Sequence, residues 1–432
     1  MRTTIVWIVL VLAACGGSSG PRSEKPSDPG TNDPAFTLRS IKDWYLIGNA
    51  ATPGQDLMTI FVDAPSGTDT VDVWVADLPP VRLTEQPDGS FGTQVTIATL
   101  GVGAHDVLFA ADGSTTAFAK HTVRRSAPYY VLVTTDWDFA DPGQIAIGYQ
   151  SQMHADHPEL RMTHFVGPYT FTDPAMTAER KQQLVTWLVK QRDTHDDEIG
   201  LHIHPYCNFV ESAGLACVTD QSTVYAEDTT GYTIKVSAYD RQQFGILLDH
   251  ANALFEQNGL NRTKTFRAGG WTADLSTLAA LADKGFTADT SALNWARIEE
   301  WKDQQSGELY RWNMANWGPI GDTSQPYWVS EQNVLTDTAP RLPILEVPDN
   351  GAMIDYVTLE EMNALFDANW NGEPLATPTT LMMGFHPAPG FTQSEYRRVD
   401  GFLDYADLRL ANRGLGPVVY ITLEDVVAAY AP

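Results

Sequence analysis

Residues 198–205 read Glu-Ile-Gly-Leu-His-Ile-His-Pro, an apolar run that closes on two histidines one residue apart. On an extended strand, side chains at i and i+2 point the same way, so His202 and His204 share a face. Imidazole nitrogen is the commonest protein ligand for zinc-like ions, and the pair therefore suggests a metal site. Upstream, Val131-Leu-Val-Thr-Thr-Asp136-Trp-Asp138 closes a second apolar run with two carboxylates at the same spacing. Two strands that each end in a ligand pair are hard to explain by packing alone. The chemistry they suggest is hydrolysis. A divalent ion polarises a carbonyl and acidifies water, while one carboxylate and one imidazole serve as base and acid.

Such groups need elements that bring them together. After about residue 127, apolar runs occur at 129–135, 162–167, 198–204, 264–268, 286–290, 342–347, 380–386 and 417–421. Helical patterns separate several of them. Phe244, Leu247, Leu248, Ala251, Leu254 and Phe255 keep one face of a helix over 240–257, and Thr358-Leu-Glu-Glu361 is a capping box. Strands alternating with helices predict an α/β fold, a parallel (β/α) barrel that is distorted or incomplete. In such barrels the chemistry gathers at the C-terminal strand ends. Those ends carry Asp136 and Asp138, His202 and His204, Arg267, Asp289, Glu346 and His386. Glu346 reads either as a support for the site or as half of a structural salt bridge. The remaining histidines, among them His154, His157 and His164, read as surface or loop residues.

The chain ahead of the barrel has a different texture. Arg2, the apolar stretch Ile5–Leu12 and the small residues before Cys15 form an export signal too short to span a bilayer. Leu-Ala-Ala-Cys resembles a lipobox. Residues 1–14 are then a lipoprotein signal peptide, Cys15 is the acylated mature N-terminus, and 15–35 form a flexible Gly/Ser/Pro linker. Short alternating runs over 36–126 predict a small all-β, immunoglobulin-like sandwich, leaving 127–432 for the barrel. The expected location is the cell envelope, lipid-anchored at the outer membrane or cell surface of a bacterium. Cys207 and Cys217, an even pair in an oxidising compartment, are expected to form a disulfide just after the histidines; Cys207 as a metal ligand is the alternative. With 54 acidic against 28 basic residues and a net charge of −26, nucleic acid is excluded as a partner.

In order along the chain, Thr-Thr-Asp136-Trp-Asp138, Gly-Leu-His202-Ile-His204, Phe266-Arg267-Ala-Gly-Gly-Trp271, Ala288-Asp289-Thr-Ser and Gly384-Phe-His386-Pro resemble the five motifs of polysaccharide deacetylases with a NodB-type domain, carbohydrate esterase family 4. The resemblance covers approximately residues 128–430. It implies Asp136 as general base, Asp138 and His202 as metal ligands, and Arg267 as the residue holding the base. It further implies Asp289 as the group tuning His386, and His386 as general acid. The family's second motif usually separates its histidines by three residues. Tyr206 occupies that position here, so His204 as third ligand rests on strand geometry, against a rim hydrogen bond as the alternative. The third motif also departs, with Ala-Gly-Gly-Trp after the arginine. Trp271, Tyr206 and Trp137 are candidates to bind sugar faces, with core packing as the alternative. The implied activity is hydrolytic removal of acetyl groups from an extracytoplasmic N- or O-acetylated polysaccharide or oligosaccharide, with zinc or a similar divalent metal. A non-catalytic glycan-binding lipoprotein and a metal hydrolase of another amide or ester are the other readings.

Overall fold

The structure, a computed structural model, describes residues 20, 21, 23–388 and 390–431. The expected signal peptide and Cys15 lie outside the described residues. No helix among the described residues is long and apolar enough to cross a membrane.

The chain forms two compact units. The first comprises residues up to Ile41 with Leu57–Ile97 and His105–Val123; the second comprises Lys42–Asp56, Ala98–Ala104 and everything from Arg124 onward. The first unit is all-β. Thr37–Arg39, Leu57–Asp63, Phe91–Thr96 and Thr84–Glu85 lie side by side in that order in an antiparallel sheet. Along Leu57–Asp63, Met58, Ile60 and Val62 are buried while their neighbours are not, the two-residue period of a half-buried strand. Val71–Val75 pairs antiparallel with Val81–Arg82 and with the strand Gly103–Ala111 in a second sheet.

The second unit contains one mixed sheet and its helices. Its strands are β1 (Tyr129–Asp136), β2 (Met162–Val166), β3 (Glu198–Ile203), β4 (Thr265–Ala268), β5 (Ala288–Asp289), β6 (Tyr327–Ser330), β7 (Arg341–Glu346), β8 (Thr379–Phe385) and β9 (Val418–Tyr420). The spatial order is β6-β7-β5-β4-β3-β2-β1-β8, with β9 also on β1. β2 pairs with β1 over 133–136 and β9 pairs with it over 129–131, so the two share one edge of β1 while β8 takes the other. All pairings are parallel except that of β6, which runs antiparallel to β7. The eight apolar runs thus all become parallel strands. β6 was not foreseen, and because β6 and β8 end the order without pairing, the sheet is an open, incomplete barrel.

β1 is a continuous apolar run because both of its faces are buried. Tyr129, Val131 and Val133 enter one core cluster, while Tyr130 and Leu132 enter another. Helices α1 (Gln144–Asp156), α2 (Ala178–His195), α3 (Arg241–Gln257), α4 (Leu275–Asp283), α5 (Gly307–Trp317), α6 (Leu359–Asn369), α7 (Gln393–Asp407) and α8 (Leu423–Ala429) connect or follow the strands. α3 starts at a capping box of Asp240 and Gln243 and buries Phe244, Leu247, Leu248, Ala251 and Phe255. α6 starts at the Thr358–Glu361 box.

His154 in α1 and His164 in β2 are buried rather than surface or loop residues, and His157 lies in a loop as expected but is buried too. Asp197, just before β3, accepts from His154 Nε2 at 2.8 Å, His164 Nε2 at 2.9 Å and the Met162 amide at 2.8 Å. The Thr135 hydroxyl, 3.2 Å from His164 Nδ1, donates there and leaves the proton on Nε2 for Asp197. Hydrogen bonds to Asp197 tie this His-His-Asp group together, with His154 Nδ1 alone left unpartnered, and it joins α1, β1, β2 and the start of β3. Although burial opposes its charge, the His154 and His164 bonds push the Asp197 carboxyl down to about 2. A depressed acid stabilises the fold above its unfolded value near 4, and that contribution fades as pH falls through about 2. Asp197→Asn is expected to cost about 2 kcal/mol of unfolding free energy at pH 7. Denaturant titrations should show the gap from the parent narrowing between pH 4 and pH 2; a gap independent of pH contradicts the assignment.

Candidate metal centre and catalytic groups

β3 stays extended through Ile203, so His202 and His204 emerge on one side, their ring centroids 5.0 Å apart. Asp138 lies two residues beyond the end of β1 and meets them. His202 Nε2 is 3.1 Å and His204 Nε2 3.3 Å from Asp138 Oδ1. The other ring nitrogens are committed, with His202 Nδ1 3.0 Å from the Arg267 carbonyl and His204 Nδ1 2.7 Å from the Tyr232 carbonyl. A carbonyl only accepts, so both Nδ1 atoms carry protons and both Nε2 atoms, the ring positions a metal would take, face Asp138. With neutral rings, two Nε2 lone pairs aimed at one carboxylate oxygen call for a cation between them. The buried His204 Nε2 also makes no hydrogen bond. This donor set fits a divalent cation, and among the described residues these three form a candidate metal-binding group. Gly269 makes the packing possible, since a Cβ there would come within 2.6 Å of the His204 ring.

Asp138 is held in place by Tyr232, whose hydroxyl donates to Oδ2 at 2.9 Å, and by Tyr206, whose hydroxyl donates to its backbone carbonyl at 3.1 Å. Burial works against its charge, but the neighbouring His386 holds the Asp138 carboxyl well below the usual carboxylate range.

Asp136, the last residue of β1, is buried. Its Oδ1 accepts from Arg267 Nη1 at 2.8 Å, and its Oδ2 has no hydrogen-bond partner. Arg267 is itself fully buried and also bonds Thr134 Oγ1 at 2.9 Å and the Thr290 carbonyl at 3.2 Å. Asp349 lies 3.4 Å from its Nη2. The Asp136–Arg267 contact expected from the motif order is therefore present, and one carboxylate oxygen is left unpartnered.

Asp289 requires a correction, because it is not the group on His386. Its oxygens accept from the Ser291 amide at 3.1 Å and hydroxyl at 2.9 Å, and it sits in register with Glu346 on the neighbouring strand. Burial and the Asp289 charge hold the Glu346 carboxyl well above its ordinary range, so a proton is kept at this pair. The carboxylate is used up at the strand end. Glu346 accordingly belongs to a carboxyl pair, not to a salt bridge.

Asp355 takes the place assigned to Asp289. Its Oδ2 accepts from His386 Nδ1 at 2.9 Å, leaving His386 Nε2 toward Asp138 Oδ1 at 3.8 Å. Burial alone would depress the imidazole, but Asp138 and Asp355 outweigh it and push His386 up to about 10. A cation on Asp138 would offset that carboxylate's field, leaving Asp355 as the main group raising the value. An acid is active below its pKa, so Asp355→Asn should move the alkaline limb of kcat/KM to lower pH. The loss should be roughly tenfold greater at pH 9 than at pH 6, since one pKa unit is a tenfold change in protonated fraction. A limb that stays in place removes Asp355 from this role.

Asp136, Asp138, His202, His204 and His386 line one pocket of about 150 Å³. Trp271, at positive φ of 55°, lines it too; its ring stands edge-on to His386 at 6.1 Å, and α5 pins its carbonyl through Trp317 Nε1 at 3.1 Å. Tyr206 sits behind Asp138 in an adjoining cleft. Trp137 is a second correction. It is 1 % exposed, packs against Trp187, and has its carbonyl bonded by Tyr169, so it is core and cannot reach a sugar. Cys207 and Cys217 are joined in a disulfide, which excludes Cys207 as a ligand.

Asp355, Tyr356 and Tyr232 were missed because they lie on irregular segments without apolar runs. A usable clue for the first two was their place just ahead of the Thr358 cap, in a loop following a barrel strand.

No protein-family model and no curated protein matches the sequence. Among solved structures, the chain is similar to a family 4 carbohydrate esterase from Streptomyces lividans in complex with acetate, at 12% identity over 71% of this chain and 99% of that one, with a TM-score of 0.35. It is also similar to a family 4 acetyl xylan esterase from Clostridium thermocellum in complex with a cobalt ion, at 12% identity over 69% and 89%, TM-score 0.34. A 4-alpha-glucanotransferase from Thermococcus litoralis is similar at 8% identity over 70% and 40%, TM-score 0.38. Polysaccharide deacetylases and family 4 carbohydrate esterases recur among the solved structures that this chain resembles.

Proposed function

We propose that the protein is a divalent-metal hydrolase that removes acetyl groups from an extracytoplasmic glycan. The observation that carries this reading is the convergence of the His202 and His204 Nε2 atoms on Asp138, in one pocket with Asp136 and His386. A two-His, one-carboxylate set suits zinc, with further positions left for water and substrate. A divalent ion bound there would supply Lewis acidity to the acyl carbonyl and to water.

The chain's own residues supply the remaining steps. Asp136 Oδ2, unpartnered while Oδ1 is fixed by Arg267, accepts the proton of the attacking water. His386, oriented through Nδ1 by Asp355, donates its Nε2 proton to the departing amine or alcohol. The five ordered motifs support acetylated sugar as the substrate class. The small pocket, walled by Trp271, Leu309 and Tyr356, has room for a short acyl group. The Cys207–Cys217 disulfide supports an oxidising compartment, in line with an acylated Cys15 anchor and an envelope location.

The test is acetate release by the purified protein from acetylated chitooligosaccharides, acetylated xylooligosaccharides and aryl acetates. Release that disappears in His386→Ala supports the reading. Bound metal without release from any sugar shifts it to another amide or ester, and glycan binding without either metal or release replaces it with a binding protein.

A further inference from the structure

Residues 218–234 carry no helix and no strand beyond one isolated bridge between Ser222 and Ile234. Yet this segment brings one residue, Tyr232, onto two of the three metal-site side chains. His204 Nδ1 donates to the Tyr232 carbonyl at 2.7 Å, and the Tyr232 hydroxyl donates to Asp138 Oδ2 at 2.9 Å. The first bond fixes the His204 ring with Nε2 toward the site. The second occupies one Asp138 oxygen and leaves Oδ1, the atom that both Nε2 atoms face. A segment without a strand or helix beneath it needs another device to hold one residue so closely.

Asp228 is that device. It is buried, and its Oδ1 accepts from the Thr230 amide at 2.8 Å and hydroxyl at 2.7 Å. Its Oδ2 accepts from the Thr233 amide at 2.7 Å and hydroxyl at 2.8 Å. Burial opposes its charge, but the Thr233 and Thr230 donors outweigh it and hold the carboxyl below its ordinary value. An ionised carboxylate only accepts, so four donors close the turn 228–233 with Tyr232 between the two threonines. The Thr230 hydroxyl also accepts from the Tyr232 amide at 3.2 Å. The turn is docked on the chain that follows His204. Gly231, at φ of 84°, approaches Pro205 so closely that an added Cβ would lie 2.2 Å from the Pro205 carbonyl oxygen. The Cys207 amide donates to the Thr230 carbonyl at 2.8 Å, and the disulfide ties Cys207 to Cys217 at the start of the segment.

We infer that Asp228 is a positioning residue for the metal centre, acting through Tyr232 to fix His204 and Asp138 in the geometry that receives the ion. Side chains held in place beforehand lose little freedom on binding, and supporting hydrogen bonds of this kind are worth about ten- to a hundredfold in metal affinity. Asparagine cannot replace Asp228, because its one oxygen serves one threonine pair and its NH2 group faces the donors of the other. The inference rests on the metal-hydrolase reading above. Zinc binding is therefore measured apart from acetate release, so that the two can fail separately.

Zinc dissociation constants are measured on chelator-stripped parent, Asp228→Asn and Tyr232→Phe by competition with a chromophoric chelator, and absorption spectra are recorded for the cobalt-loaded forms. Asp228→Asn should raise the zinc Kd about 10- to 100-fold, and Tyr232→Phe, which keeps the carbonyl, about tenfold. The cobalt bands of Asp228→Asn should also shift, a change that loss of stability alone does not produce. Circular dichroism of the stripped proteins checks that each is folded. Thr230→Val, which removes one hydroxyl from Asp228 and the acceptor of the Tyr232 amide, serves if Asp228→Asn does not fold. A parental Kd and a parental cobalt spectrum in folded Asp228→Asn overturn the inference. A raised Kd in Asp228→Asn, from a parent that binds zinc but releases no acetate, upholds the inference and rejects the deacetylase reading. A parent that binds no zinc overturns both.

Discussion

Asp136→Asn is expected to reduce acetate release by about 10³-fold while leaving bound metal in place, the range for loss of a positioned general base being about 10²–10⁴. Asp136 stands outside the metal group. Its Oδ1 is fixed by Arg267, its buried Oδ2 has no hydrogen-bond partner, and the residue lines the pocket. An amide of the same shape can still accept from Arg267 but cannot take a proton from water. The substitution also removes one of two carboxylates near a fully buried guanidinium, with Asp349 at 3.4 Å remaining. Some loss of stability should accompany it, and thermal unfolding must confirm that the variant is folded at the assay temperature. A folded, metal-loaded Asp136→Asn with parental turnover removes Asp136 from the chemistry.

Asp138→Ala should have the opposite signature, losing metal and turnover together. The carboxylate is where both Nε2 atoms converge, and without it only two imidazoles remain to hold the ion. Metal affinity should fall by at least roughly a hundredfold, at or beyond the upper end of what loss of a supporting hydrogen bond costs. The Tyr232 hydroxyl loses its acceptor as well. Metal content by mass spectrometry and acetate release should therefore drop in parallel. Full metal content in Asp138→Ala would move the metal elsewhere.

Much of this arrangement is legible in the sequence, for identifiable reasons. Parallel strands buried on both faces leave continuous apolar runs, and all eight such runs form strands. β3 is extended through Ile203, so the i, i+2 rule places His204 beside His202 although the motif resemblance points to Tyr206. Tyr206 instead holds the backbone of Asp138. The Asp136–Arg267 pair was implied by the motif resemblance, and the sheet brings both residues to one end of its parallel strands. What was not legible depends on tertiary placement. Asp289 ends a strand as expected, yet Ser291 and Glu346 bind it there, and only the loop conformation brings Asp355 to His386. Trp137 lies between two aspartates of the site, but alternation on an extended segment turns it to the core. Tyr232 comes from the long irregular segment after the disulfide, where no periodicity marks the side chains that return to the centre. β6, short and at the sheet edge, lacks the apolar run that marked the others.

The central claim is that Asp138, His202 and His204 hold the ion on which turnover depends. The most direct measurement is zinc titration of chelator-stripped protein with acetate release followed at each addition. The account predicts negligible release from the stripped protein, rising to a plateau at a single equivalent per chain. Stripped protein that releases acetate as fast as the reconstituted form would contradict it.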